Sequence, residues 1–237
     1  MIINNKLFNL DLGKMTSKEK DLFFLILEKL SMATNREFEM KLFEIKKELG
    51  LYKKTDERAL NTIRRMCKRF QETAQEIETE DGFEYFNVFE GQKINLKEET
   101  FMITLKKEFK YLINVDSKVK GEKQQGYTII EDMKELYSIQ SSYSKDLYLF
   151  IKRWESIGKK EIKIEEFKKM LKVPATYKMH HIDQKIIFIC LKDLTVYFTR
   201  LNIEKIKNGR KIESLIFTWQ RVEKKKKVVQ KKKFQEE

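Results

Sequence analysis

The residues "VYFTRLNIEKIKNGRKIESLIFTW", 196–219, decide the fold. Apolar and polar side chains alternate on either side of Asn208-Gly209, the pattern of two strands joined by a tight turn with φ > 0. Lys207, Arg210 and Lys211 stand at that tip. Just upstream, "EEFKKMLKV" (165–173) predicts a short helix closed by Pro174, and "YKMHHIDQKIIFICLKDLT" (177–195) a longer one. A short helix, a longer helix and then a hairpin is the order of a winged helix, a helix-turn-helix whose wing follows the recognition helix.

Further upstream, "TIIEDMKELYSI" and "SKDLYLFIKRWESI" read as helices, the second starting near Ser142 or Ser144, and "KEIKI" as a strand. The same order is expected in the first half. Thr16 followed by Glu19 is a capping box opening a helix. "REFEMKL" reads as a short strand and "LFEIKKELG" as a short helix ended by Gly50. "TDERALNTIRRMCKRFQETAQEIE" reads as a longer helix. "FEYFNVFEGQKINLKEETFMITL" reads as two strands turning at Glu90-Gly91-Gln92, and "KKEFKYLIN" as a closing helix. The polar stretch "DSKVKGEKQQGY" suits a linker. The expected fold is α+β and helix-rich, two winged-helix domains in tandem. Residues 1–120 form the first, 121–220 the second, and 221–237 a basic, disordered tail.

The chain has 237 residues and a formal net charge of +13. Residues 1–120 hold 23 Lys/Arg against 21 Asp/Glu, and residues 121–237 hold 27 against 16, so nearly all the excess lies in the second half. That asymmetry points to a polyanionic partner, nucleic acid before membrane. Cys67 and Cys190 lie far apart in apolar helical patterns, with no zinc spacing, and read as free thiols of a reducing cytoplasm. The start of the chain lacks a signal peptide's apolar run, and no window is apolar enough to span a membrane.

Three stretches resemble the iteron-binding replication initiator (Rep) proteins of theta-replicating plasmids. "SSYSKDLYLFIKRW" (141–154) is similar to that family's helix start, "EEFKKMLKVPATYKMHHIDQKII" (165–187) to its helix-turn-helix, and "IKNGRKIESLIFTW" (206–219) to its wing. "LGKMTSKEKDLFFLILEKL" is compatible with the family's first helix. The chain departs from the pattern at "YKMHHIDQKII", where relatives are often richer in Arg. The resemblance implies a double-stranded DNA-binding initiator that binds origin iterons as a monomer and promotes origin opening. It implies a homodimer, formed through the first winged helix, that represses its own gene, and host DnaA and the replicative helicase as partners.

Candidate DNA contacts follow from element position. On the second module's recognition helix they are Lys178, His181 and Lys185, with Ile182, Ile186 and Ile189 expected in the core. On the wing they are Lys207, Arg210 and Lys211. On the longer helix of the first module they are Arg64, Arg65 and Lys68, within a basic stripe that includes Arg58 and Arg69. Ser142, Ser144 and Lys145 open a helix whose N-terminus suits a phosphate; simple capping is the alternative. The adjacent His180 and His181 point about 100° apart on a helix and lack supporting ligands, so no metal or other cofactor is expected. No nucleotide-binding loop, hydrolase or metalloprotease motif is present, and no enzymatic activity is expected. A tandem winged-helix transcriptional repressor is the competing function; a nuclease would need an acidic metal cluster that the sequence lacks.

Overall fold

A computed structural model describes residues 1–5, 7, 10, 15–33, 36–51, 56–72, 74–112 and 126–221, the side chains of 77–79 and 111 aside. The linker expectation and the basic-tail expectation fall almost wholly outside these residues.

The first module opens with β1 (Ile2–Asn4) and α1 (Ser17–Met32). The capping box forms as expected: Glu19 N–H donates to Thr16 Oγ1 at 3.3 Å, and Thr16 N–H donates to Glu19 Oε2 at 2.7 Å. Next come β2 (Glu37–Lys41), α2 (Leu42–Glu48) and α3 (Asp56–Glu72). Gly50 follows α2 at φ 63°, a left-handed conformation that ends a helix at little cost to glycine.

Two boundaries in this module differ from expectation, and further on Thr128 and Ile129, expected to open a helix, lie in a strand. α3 stops at Glu72, and the residues after it form an extra hairpin, β3 (Ala74–Thr79) and β4 (Gly82–Asn87), turning at Glu80-Asp81. The second difference is the wing. β5 (Phe89–Asn95) runs straight through Glu90-Gly91-Gln92, where Gly91 sits at a bulge, and turns at residues 96–99 into β6 (Thr100–Leu105). Asn95 Oδ1 fixes that turn by accepting from the N–H groups of Lys97 at 3.0 Å and Glu98 at 3.2 Å.

A 3-10 helix (Lys107–Leu112) ends this stretch. β7 (Tyr127–Ile129) then returns to pair antiparallel with β1, and Met1 N donates to Ile130 O at 2.7 Å. Along the chain then come α4 (Met133–Ser138), α5 (Ser142–Arg153), β8 (Lys159–Lys163) and α6 (Ile164–Met170). The second module's long helix is α7 (Met179–Ile182), a π-helical segment (Asp183–Ile187) and α8 (Phe188–Leu194), end to end. β9 (Phe198–Asn208) and β10 (Lys211–Arg221) complete it.

The two three-stranded sheets have equivalent orders, β2-β6-β5 and β8-β10-β9, with the second strand of each hairpin in the middle. The repeat of two winged helices is therefore one of topology as well as of element order. Each module has an aromatic centre: Phe23, Phe70 and Phe89 meet at 5.3–6.0 Å in the first. Phe217 meets Phe150 at 5.5 Å and Phe167 at 5.9 Å in the second. Full burial of each ring is worth roughly 1.5–3 kcal/mol, so these clusters anchor helices to sheets.

Candidate nucleic-acid interface

In a winged helix the recognition helix is held by one face and offers the other. Ile182, Ile186, Ile187, Cys190 and Leu194 are buried. Lys178, His180, Gln184, Lys185, Phe188 and Lys192 are exposed. Ile189, expected in the core, is 37% exposed. The π-helical segment is the reason. Its wider turn carries one extra residue, so the inward position that an unbroken α-helical period gives to Ile189 passes to Cys190.

Lys178 is the N-cap of α7, and its backbone N–H donates to His181 Nδ1 at 3.2 Å. That bond places the imidazole proton on Nε2. Lys185 Nζ lies 5.1 Å from the Tyr177 ring centre, and that ring lies 5.5 Å from His181. Lys178, His181 and Lys185 thus gather at the start of the helix. Partial burial, then the positive charge of His180, Lys185 and Lys178, holds the His181 pKa below its ordinary value. Lys205 of β9 bridges to Asp183 at 2.7 Å and ties the wing to this helix.

The wing tip is the expected tight turn, shifted by one residue. Asn208 pairs with Lys211, leaving a two-residue loop of Gly209 and Arg210. Only Gly209 has positive φ, at 59°, the pattern of a type II′ turn with glycine first. Lys207, Arg210 and Lys211 are all exposed there. In the first module Arg58, Arg64, Arg65 and Lys68 line the exposed face of α3, while Ile63, Met66 and Phe70 are buried. Arg69 is drawn off that face by Glu19, 3.1 Å away, and Lys68 has Glu72 at 3.9 Å.

The start of α5 departs from the expectation of a phosphate site. Ser144 is fully buried, its hydroxyl donating to Asp193 Oδ2 at 2.7 Å. Lys145 is fully buried too, its ammonium donating to Asp21 Oδ1 and Leu136 O, each at 2.5 Å. Ser142 Oγ donates to Met15 O at 2.9 Å, and Ser141 Oγ caps the helix by accepting from Ser144 N–H at 3.3 Å. This helix end is packed between the modules, and neither Ser144 nor Lys145 offers an atom to a phosphate. One sign of this lay in the sequence: Lys145-Asp146 matches Lys20-Asp21 in the equivalent helix of the first module.

Gln184, Phe188 and Lys192 are exposed on this face as well, and the helical spacing 181, 185, 188, 192 is the signal that could have found the last two. Among the described residues no three His, Cys, Asp or Glu side chains gather as for a metal ion, and no helix is long and apolar enough to cross a membrane.

Comparison with known proteins points to the same pair of winged helices, the first match running through α4 and α5. Residues 1–152 match the family described as "Initiator Replication protein, WH1", and residues 163–219 match "Initiator Rep protein, WH2". No curated protein is similar in sequence. Among solved structures, the Pi initiator protein in complex with iteron DNA superposes with a TM-score of 0.73 at 14% identity, covering 94% of this chain and 98% of that one. Domains 2 and 3 of RctB superpose with a TM-score of 0.52 at 12% identity, covering 89% of this chain and 84% of that one.

Proposed function

Because this chain belongs to the initiator replication (Rep) protein family, we propose that it binds the repeated double-stranded elements, or iterons, of a plasmid origin and promotes the opening of that origin. The observation that carries the reading is the pairing, in one module, of an exposed recognition-helix face bearing Lys178, His181 and Lys185 with a wing tip bearing Lys207, Arg210 and Lys211. The solved Pi initiator, of like fold across both modules, holds iteron DNA.

In this reading phosphate contacts from the wing and from Arg64, Arg65 and Lys68 of α3 supply most of the affinity. A few recognition-helix side chains select the sequence. The second module, bounded near residues 121 and 220, is the main iteron reader. The first contributes DNA contacts and homodimerisation, and the dimer represses the protein's own gene. DnaA and the replicative helicase are the partners that the family resemblance supplies, and the cytoplasm the place of action. No step calls for a nucleophile or a metal: strand opening draws on binding energy.

The test is a gel-shift titration of DNA flanking the gene against scrambled competitor at two salt concentrations. Stepwise complexes on direct repeats that survive competition are the expected result. Complexes on a single inverted repeat alone would indicate a repressor, and no preference over scrambled DNA would end the reading.

A further inference from the structure

Phe188 is 67% exposed on the recognition helix. A single exposed aromatic is ordinary on a protein surface; the position of this one is not. It lies one turn beyond Gln184 and Lys185 and one turn before Lys192, on the face that the core does not use. Ile189, 37% exposed, adjoins it. The π-helical segment ends at Ile187, so its wide turn immediately precedes the outward Phe188. Such segments recur at functional sites. The exposed face of this helix carries no Arg, the residue that most often reads guanine.

We infer that Phe188 is a specificity-determining residue that packs on the C5-methyl group of thymine in the major groove, making the second module a reader of A·T pairs. The inference rests on the DNA-binding reading above and adds to it the base that is read. Chemistry favours it on two counts. The thymine methyl is the one apolar feature of the major-groove edge, and an aromatic ring surrounded by Lys185 and Lys192 reaches it with the phosphates already neutralised. Gln184, one turn away, has the amide that pairs with adenine N6 and N7.

The experiment uses the full chain and duplexes that it enriches from a pool with a randomised core. Each thymine of the enriched sequence is replaced singly by uracil, which removes only the methyl group. Wild type is expected to lose about fourfold in affinity at one or two positions, the worth of one buried methyl. Phe188→Ala is expected to bind thymine and uracil duplexes equally, with an unchanged salt slope. Because the side chain is mostly outside the core, its thermal unfolding should match wild type, which separates loss of reading from loss of fold. If wild type enriches a sequence but no uracil matters, or if Phe188→Ala remains sensitive to the same uracil, Phe188 does not read thymine and only this inference fails. If wild type enriches no sequence, the DNA-binding reading fails and this one with it.

Discussion

Lys145 of α5 and Asp21 of α1 meet at 2.5 Å with their side chains 0% and 1% exposed. Beside them Lys20 of α1 meets Asp146 of α5, also at 2.5 Å. Two Lys-Asp dipeptides, one per module, are thus paired crosswise between equivalent helices. Burial pushes the Asp21 carboxyl up and the Lys145 amine down, and their mutual attraction opposes both shifts. The backbone carbonyl of Leu136 takes a further proton of the ammonium. A buried pair so satisfied fixes orientation more than it adds stability.

Asp21→Leu leaves the Lys145 ammonium buried without its counter-ion, whereas in Lys145→Met the Asp21 carboxylate keeps Lys18 at 3.3 Å. Asp21→Leu is therefore expected to destabilise the protein by about 3–5 kcal/mol and Lys145→Met by less, while the Asp21→Leu/Lys145→Met double variant recovers most of the Asp21→Leu loss. Urea unfolding midpoints measure this. An Asp21→Leu variant no worse than the double would show that the pair does not hold the modules.

At the wing, Arg210→Ala should weaken DNA binding and lower the slope of log affinity against log salt by about one unit, with similar effects for Lys207 and Lys211. The Asp21→Leu/Lys145→Met variant also lacks a lysine, yet should leave the slope unchanged, because Lys145 faces Asp21 and not solvent. Equal slopes for Arg210→Ala and wild type would remove the wing from the interface.

The His181 pKa lies below the ordinary imidazole value because of partial burial and the cations His180, Lys185 and Lys178. Phosphates nearby favour the protonated form, so the DNA complex binds a proton more readily than the free protein. Affinity should therefore rise as pH falls from 8 into the range where the imidazole takes up a proton. Anisotropy titrations across this range check it, with His181→Asn giving a flatter profile. An acid rise of full size in that variant assigns the titration to another group.

Burial pushes the thiols of Cys67 and Cys190 up to about 12. Neither should react appreciably with a disulfide reagent at pH 8 in the folded protein, and both should react in urea. Rapid labelling of the native protein would contradict the packing of α3 and α8.

Local patterns carried much of the fold: Thr16 and Glu19 marked a helix start, Asn208-Gly209 a wing, and the repeat of element order two modules. The extra hairpin escaped notice because "QETAQEIETE" after α3 is rich in residues that favour helices. Only its pairing with β4 makes it a strand. Gly91 suggested a turn, but the Asn95 side chain placed the turn elsewhere. Of the candidate site, the exposed cations were legible from spacing. The burial of Ser144 and Lys145 was not, since their partners Asp193 and Asp21 are 49 and 124 residues away. The π-helical segment left no periodic trace that could reset the phase of the helix.

The antiparallel pairing of β1 with β7 bears on how this protein meets DNA. A chain with one covalent hinge between two bodies leaves their mutual rotation free. Here the strand that leads into the second module is clamped to residues 2–4, and α1 is pinned to α5 beside it. Two attachment lines that do not coincide remove that rotation, so the modules behave as a stiff gauge of fixed span. When the contacted grooves are out of phase with such a gauge, the compliance must come from the duplex, as twist or bend. Sequences that deform at low cost are then favoured even at base pairs that no side chain reaches.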